Sequence, residues 1–186
     1  MVAYFTASII GKKYHLAKYK KIIELLESKG VEVICEHIIN TSETQIRLET
    51  RKDRLQFHQY LEDWITTAQF VVAETSFPSI SVGYEISLAI ARGKPTLVLY
   101  SEGDPPSLLA HHESEKVVCE RYTETTLPAV INDFFLYAHG GSDTRFTFFI
   151  SSKQAAYLEK RAKTQHIPKS VYLRHLIDTD MHHRDA

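Results

Sequence analysis

The sequence predicts an α/β domain, a five-stranded parallel sheet with helices on both faces, followed by a small second module. Three observations carry this expectation. Short apolar runs alternate with stretches of helical period through residue 138, glycines close several of those stretches, and after "AHGGSDT" the pattern changes to one alternating strand and two helices. Strand–helix alternation at such short intervals is the mark of a parallel sheet with right-handed crossovers.

Residues 2–6 form the first compact apolar run and predict a strand. Tyr19, Ile22, Ile23, Leu25 and Leu26 then mark one face of a helix that stops at Gly30. A second strand is expected over 31–35 and a helix over 51–68, with Leu55, Tyr60, Leu61, Trp64 and Ile65 apolar. The third strand, 70–74, leads into a helix over 82–92, closed by Gly93 with Pro95 beyond. Strands over 96–100 and 116–119 and a helix over 127–138 complete the domain. In such sheets ligands sit beyond the carboxyl ends of the strands, which directs attention to the residues after Thr6, Cys35, Glu74 and Tyr100. Tyr14, Tyr19 and Trp64 are expected in the core or at its rim.

The composition, 44% hydrophobic and 24% charged over 186 residues, is that of a soluble globular protein. Lys and Arg (22) nearly cancel Asp and Glu (23), so bulk charge favours no polyanion. No apolar run reaches membrane-spanning length, and "MVAYFTASII" has neither a basic leader nor a small-residue cleavage site, so a cytoplasmic protein is expected. Cys35 and Cys119 have no metal or redox spacing. The pairs His111-His112 and His182-His183 lack a third ligand, so neither metal nor cofactor is expected.

One carboxylate stands out. Glu85 lies between Tyr84 and Ile86 and just ahead of Leu88-Ala89-Ile90-Ala91, where an acid is either paired or used. Its place near a helix start should favour the ionised form, and Gly83 would let the backbone approach a ligand.

The stretches "YFTASIIG" (4–11), "EHI" (36–38), "VVAETSFPSISVGYEI" (71–86) and "AIARGKP" (89–95) resemble the nucleoside 2-deoxyribosyltransferase superfamily, in particular its 2'-deoxynucleoside 5'-phosphate N-hydrolases. The resemblance covers residues 2–135 in order and spacing. It implies a flavodoxin-like sheet, a dimer, and a nucleotide pocket at the strand ends. It also implies that Glu85 is the nucleophile of N-glycosidic cleavage, oriented by Tyr4 at the end of the first strand. Ser79 would hold a 5'-phosphate, and His37 would lie near base or phosphate. Ser8, Gly11, Asp63, Ser81 and Gly83 complete the implied substrate-binding set.

Several positions depart from the family pattern. Its phosphate-loop arginine falls on Ile10, with Lys12 and Lys13 nearby, and Ala7 replaces a loop glycine. A pocket aspartate falls on Leu61, with Glu62 and Asp63 close by, and Ser81 replaces a glycine. A serine that relatives supply from the partner subunit falls on Leu109, with Ser107 nearby. The nucleophile position is kept while the phosphate grip is altered. A different monophosphate, an unphosphorylated nucleoside, and a pocket that binds without turnover all remain open.

The first module is expected over 1–138, a linker over 139–144, a second module over 145–181 and a tail over 182–186. From Ser142 onward eight basic residues face five acidic ones, net +3, against 14 and 18, net −4, in the rest. "RFTFFIS" followed by two helix patterns resembles the ribbon-helix-helix DNA-binding family. Phe146, Phe148 and Ile150 alternate on one strand face; Ala155, Leu158 and Ala162 line one helix, Ile167 the turn, and Val171, Leu173, Leu176 and Ile177 the other. About forty residues cannot bury that surface alone, and the family pairs two copies, so the module implies a homodimer or higher homo-oligomer. By resemblance Arg145, Thr147 and Phe149 would face a DNA groove, and Lys169-Ser170 a phosphate. Dimerisation alone and DNA contact are both open. The expected function is N-glycosidic cleavage, or deoxyribosyl transfer, on a nucleoside or nucleoside 5'-monophosphate; the alternative is a nucleotide-sensing DNA-binding regulator.

Overall fold

The apolar runs form β1 (Val2–Ala7), β2 (Glu32–Ile34), β3 (Phe70–Glu74), β4 (Thr96–Tyr100) and β5 (Val117–Arg121). The structure, a computed structural model, describes residues 1–104, 106, 109, 114, 116–140, 150–165 and 169–184. Every strand pair is parallel, in the order β2-β1-β3-β4-β5. β1 and β3 neighbour each other although β2 lies between them in sequence, so the chain changes its direction of growth there. A crevice opens beyond the strand ends at such a switch point.

Side chains alternate across each strand and divide the core in two. Ala3, Phe5, Phe70, Val72, Leu97 and Leu99 pack with α1 (Lys12–Glu27) and α6 (Leu127–Gly140). Tyr4, Val71, Ala73 and Val98 face α4 (Arg51–Thr67) and α5 (Ile80–Ala91). α1 presents His15, Tyr19, Ile22, Ile23 and Leu26 inward, the stripe of an amphipathic helix. Gly30 (φ 75°) and Gly93 (φ 65°) take the left-handed conformation beyond α1 and α5, which costs glycine least.

The differences from expectation are local. β2 is cut short because Cys35 leads directly into α2 (Glu36–Ile39), and α3 (Glu43–Leu48) follows. α5 begins two residues earlier than the sequence pattern suggests, capped by Ser79. β5 runs on to Arg121, and α6 reaches Gly140, into the stretch read as linker.

The chain divides into two compact units, Met1–Arg145 and Phe146–Ala186. In the second, α7 (Ser152–Gln165) and α8 (Lys169–Arg184) pack together. Ala162 is buried there, as is Tyr172, whose hydroxyl accepts from Arg161 Nε at 3.2 Å. Leu176 and Ile177, read as lining residues, are exposed in the single chain. Ser107, His111-His112, residues 145–149 with Arg145 and Thr147, and Ile167 lie outside the described residues, as do the side chains of Ser170, Val171, His182 and His183. Among the described residues no helix is long and apolar enough to cross a membrane.

Candidate active site

Val82, Glu85, Ile86 and Ala89 form the buried face of α5. Glu85 is therefore carried inward by the helical stripe that packs the helix on the sheet, and its residue is only 4% exposed. Tyr4, third residue of β1 rather than its last, points to the same face and is fully buried. Its hydroxyl donates to Glu85 Oε2 at 2.9 Å and lies 2.8 Å from His37 Nε2. A phenol has one proton to give. While it goes to an ionised Glu85, His37 must carry its proton on Nε2 and donate it to the Tyr4 oxygen. His37 Nδ1 is then the bare nitrogen, and it is buried without a partner. His37 stacks on Tyr4 and on Trp64, each at 5.0 Å between centroids, with Phe57 tilted against it. Trp64, read only as core or rim, is thus part of this wall.

Burial controls the charges. It raises the Glu85 carboxyl above the usual range; the Tyr4 hydrogen bond pulls the other way, as does the Thr6 hydroxyl. Thr6 Oγ1 is buried without a partner in hydrogen-bond geometry, so Tyr4 is the donor that holds the carboxylate. The helix start does not decide the matter: Glu85 is the sixth residue of α5, beyond the turn over which the dipole acts. Burial, followed by the Glu85 charge, pushes the Tyr4 phenol well up. His37 is lowered to about 4, mainly by burial and against the pull of Glu36, so it is neutral at physiological pH.

The loop after β1 is tightly built. Ser8 is buried and its Oγ accepts from the Gly11 amide at 3.1 Å. A Cβ on Gly11 would lie 2.7 Å from Phe77 Cβ and 2.8 Å from the Tyr19 hydroxyl, so only glycine fits. Tyr14, expected in the core or its rim, is instead exposed and stacks on Phe77. Lys12 Nζ donates to the carbonyls of Ile39 (3.0 Å) and Thr41, so it is engaged within the protein. Lys13 and Ile10 are exposed. Ser79 Oγ caps α5, accepting from Val82 N at 3.4 Å. Ser81 is exposed, and a Cβ on Gly83 would meet nothing within 4 Å. Asp63 is exposed on α4, where Leu61 and Ile65 are the buried residues, and the structure does not bring it to the Glu85 group. Leu109 packs against the cluster of Ala73, Val82, Ile86, Val98 and Val117.

A nucleoside 2-deoxyribosyltransferase family model matches residues 3–126, about two-thirds of the chain. The chain belongs to this family. The match ends before α6 and covers none of the second unit. The family member is 39% identical over 98 residues to the 5-hydroxymethyl-dUMP N-hydrolase of Mus musculus, covering 52% of this chain and 56% of that protein. It is 28% identical over 139 residues to the protein of the same name from Danio rerio, covering 73% of this chain and 96% of that one. Its fold is similar to that of the Clostridium botulinum CMP N-glycosidase BcmB, with a TM-score of 0.51 and 21% identity over 74% of this chain and all of that one.

Proposed function

We propose that this protein hydrolyses the N-glycosidic bond of a nucleoside or nucleoside 5'-monophosphate through Glu85. The observation that carries the reading is the buried Glu85 carboxylate, held by the Tyr4 hydroxyl beside an aromatic wall at the switch point of the sheet. Breaking the C1'–N bond sends its electron pair to the base and leaves positive charge on the sugar. An ionised Glu85 forms the C1'–O bond as that charge develops, and water then cleaves the glycosyl ester. Tyr4 fixes the attacking group, and neutral His37 fixes Tyr4. A second base in place of water would make the same step a transfer.

The family model and the relatives named as N-hydrolases support this reading. The Ser79 hydroxyl retains its own proton for a substrate oxygen at the α5 N-terminus. With Lys12 committed to two carbonyls and Ile10 in place of the family arginine, discrimination for a 5'-phosphate should be weak. We expect kcat/KM for a monophosphate to exceed that for its nucleoside by less than about a thousandfold, roughly 4 kcal/mol. The direct test incubates the protein with a panel of nucleosides and nucleotides and measures released base. No release from any of them, with or without an acceptor base, would reject the reading.

The second unit suits a homodimerising role of the ribbon-helix-helix kind. Ile150, Tyr157, Leu158, Leu173 and Leu176 line a largely apolar cavity of about 380 Å³, and Tyr157 and Leu176 remain exposed in one chain. Sedimentation of the full chain as a dimer is expected; a monomer would reject this role. DNA binding lost on Lys169→Ala would add nucleic acid to the partners.

A further inference from the structure

A second buried carboxylate lies outside the chemistry described above. Glu74, the last residue of β3, is fully buried. It follows Phe70 and Val72 at the strand period and so faces α1 and α6, opposite the Glu85 face. Its Oε1 accepts from the Ser76 amide at 3.3 Å, from the Ser76 hydroxyl, and from the Tyr122 hydroxyl at 3.1 Å. Ser76 Oγ in turn accepts from the Ser101 amide at 2.8 Å and lies 2.9 Å from Ser101 Oγ, which accepts from Lys18 Nζ at 3.0 Å. A carboxylate is an expensive group to bury, yet an apolar strand end would leave these donors unanswered.

What this network holds is the segment between β3 and α5. Phe77 follows Ser76 directly, packs against Gly11 and stacks on Tyr14 at 6.0 Å. Ser79 follows two residues later and caps the helix that carries Glu85. The network thus reaches both loops that flank the switch point without touching Glu85 or Tyr4.

We propose that Glu74 is a positioning residue: through Ser76 it fixes the segment bearing Phe77 and Ser79, and so sets substrate capture rather than the chemical step. This rests on the N-glycosidase reading for its kinetic part only. Ser76→Ala removes the bridge from a half-buried loop and should leave the fold intact. KM for the best nucleoside or nucleotide should rise about tenfold while kcat stays within about threefold. Amide exchange over residues 77–82 should accelerate in the free protein. Glu74→Ala should do the same or more, and Glu74→Gln, which keeps an acceptor oxygen for Ser76 and Tyr122, should restore most of the wild-type KM. Unchanged KM and unchanged exchange in Ser76→Ala would overturn the proposal, as would a fall in kcat with KM constant. If the wild type cleaves nothing, the functional reading fails, and the exchange comparison still decides the role of Glu74.

Discussion

Glu74 and Glu85 stand at the same end of one sheet, on opposite faces, with exposures of 0% and 4%. Their surroundings differ in the number of donors. Glu74 accepts three hydrogen bonds from two residues, all on one oxygen, in a network that continues to Ser101 and Lys18. Glu85 accepts one from Tyr4 among the described residues, and stacked rings line its Tyr4–His37 side. Burial raises both carboxyls. Three donors on Oε1 pin Glu74, and its Oε2 is buried without a partner, so a bare oxygen alone does not mark a nucleophile. Glu85 is held by the single Tyr4 donor beside the stacked rings at the switch point, where we propose that a sugar binds. Identical side chains at similar depth are thereby suited to different work.

The sharpest way to break this comparison is to neutralise each in turn. Glu85→Gln should lower kcat by about a thousandfold or more, about 4 kcal/mol, whereas Glu74→Gln should leave kcat nearly unchanged. Comparable losses in both variants would erase the distinction.

Acid should next reveal the Glu85 side through His37. Its folded pKa is depressed from 6.5 to about 4, so the neutral ring contributes stability that is present above pH 6.5 and lost as pH falls toward 4. The shift corresponds to about 3 kcal/mol. Urea unfolding of wild type and His37→Gln at pH 7.5 and pH 4.5 should show a smaller acid loss in the variant. Equal losses would place the acid sensitivity elsewhere.

A smaller effect is expected from Tyr4→Phe, which removes the single donor. We expect kcat to fall about 10- to 100-fold, about 1.4–2.7 kcal/mol. The Tyr4 bond lowers the Glu85 pKa, so its loss should move the acid limb of the kcat profile to higher pH. A limb that stays in place would mean that the acid limb does not report Glu85.

Much of this was legible in the sequence, and the exceptions have physical causes. The strands were readable because a sheet buried on both faces demands continuous apolar runs such as Phe70-Val71-Val72-Ala73. Glu85 was conspicuous because it interrupts an apolar helix face. Glu74 was not, since an acid closing a strand reads as a solvent-facing end. Its burial depends on Tyr122, 48 residues later in the chain. α3 has too few turns to show a period, and only the reciprocal cap of Ser42 and Gln45 marks it. Asp63 misleads because it neighbours Trp64 in sequence, whereas two residues from Leu61 is about 200° around a helix, on the solvent side.

If Glu85 is the nucleophile, it becomes bonded to the sugar during cleavage. A 2'-fluoro analogue of the best substrate should slow hydrolysis of the glycosyl ester enough for intact-protein mass spectrometry to detect it. A mass gain equal to one glycosyl group per chain is expected, mapped to a peptide containing Glu85 and absent from Glu85→Gln. Release of free base from the analogue at full burst with no adduct, or an adduct on any other residue, would contradict it.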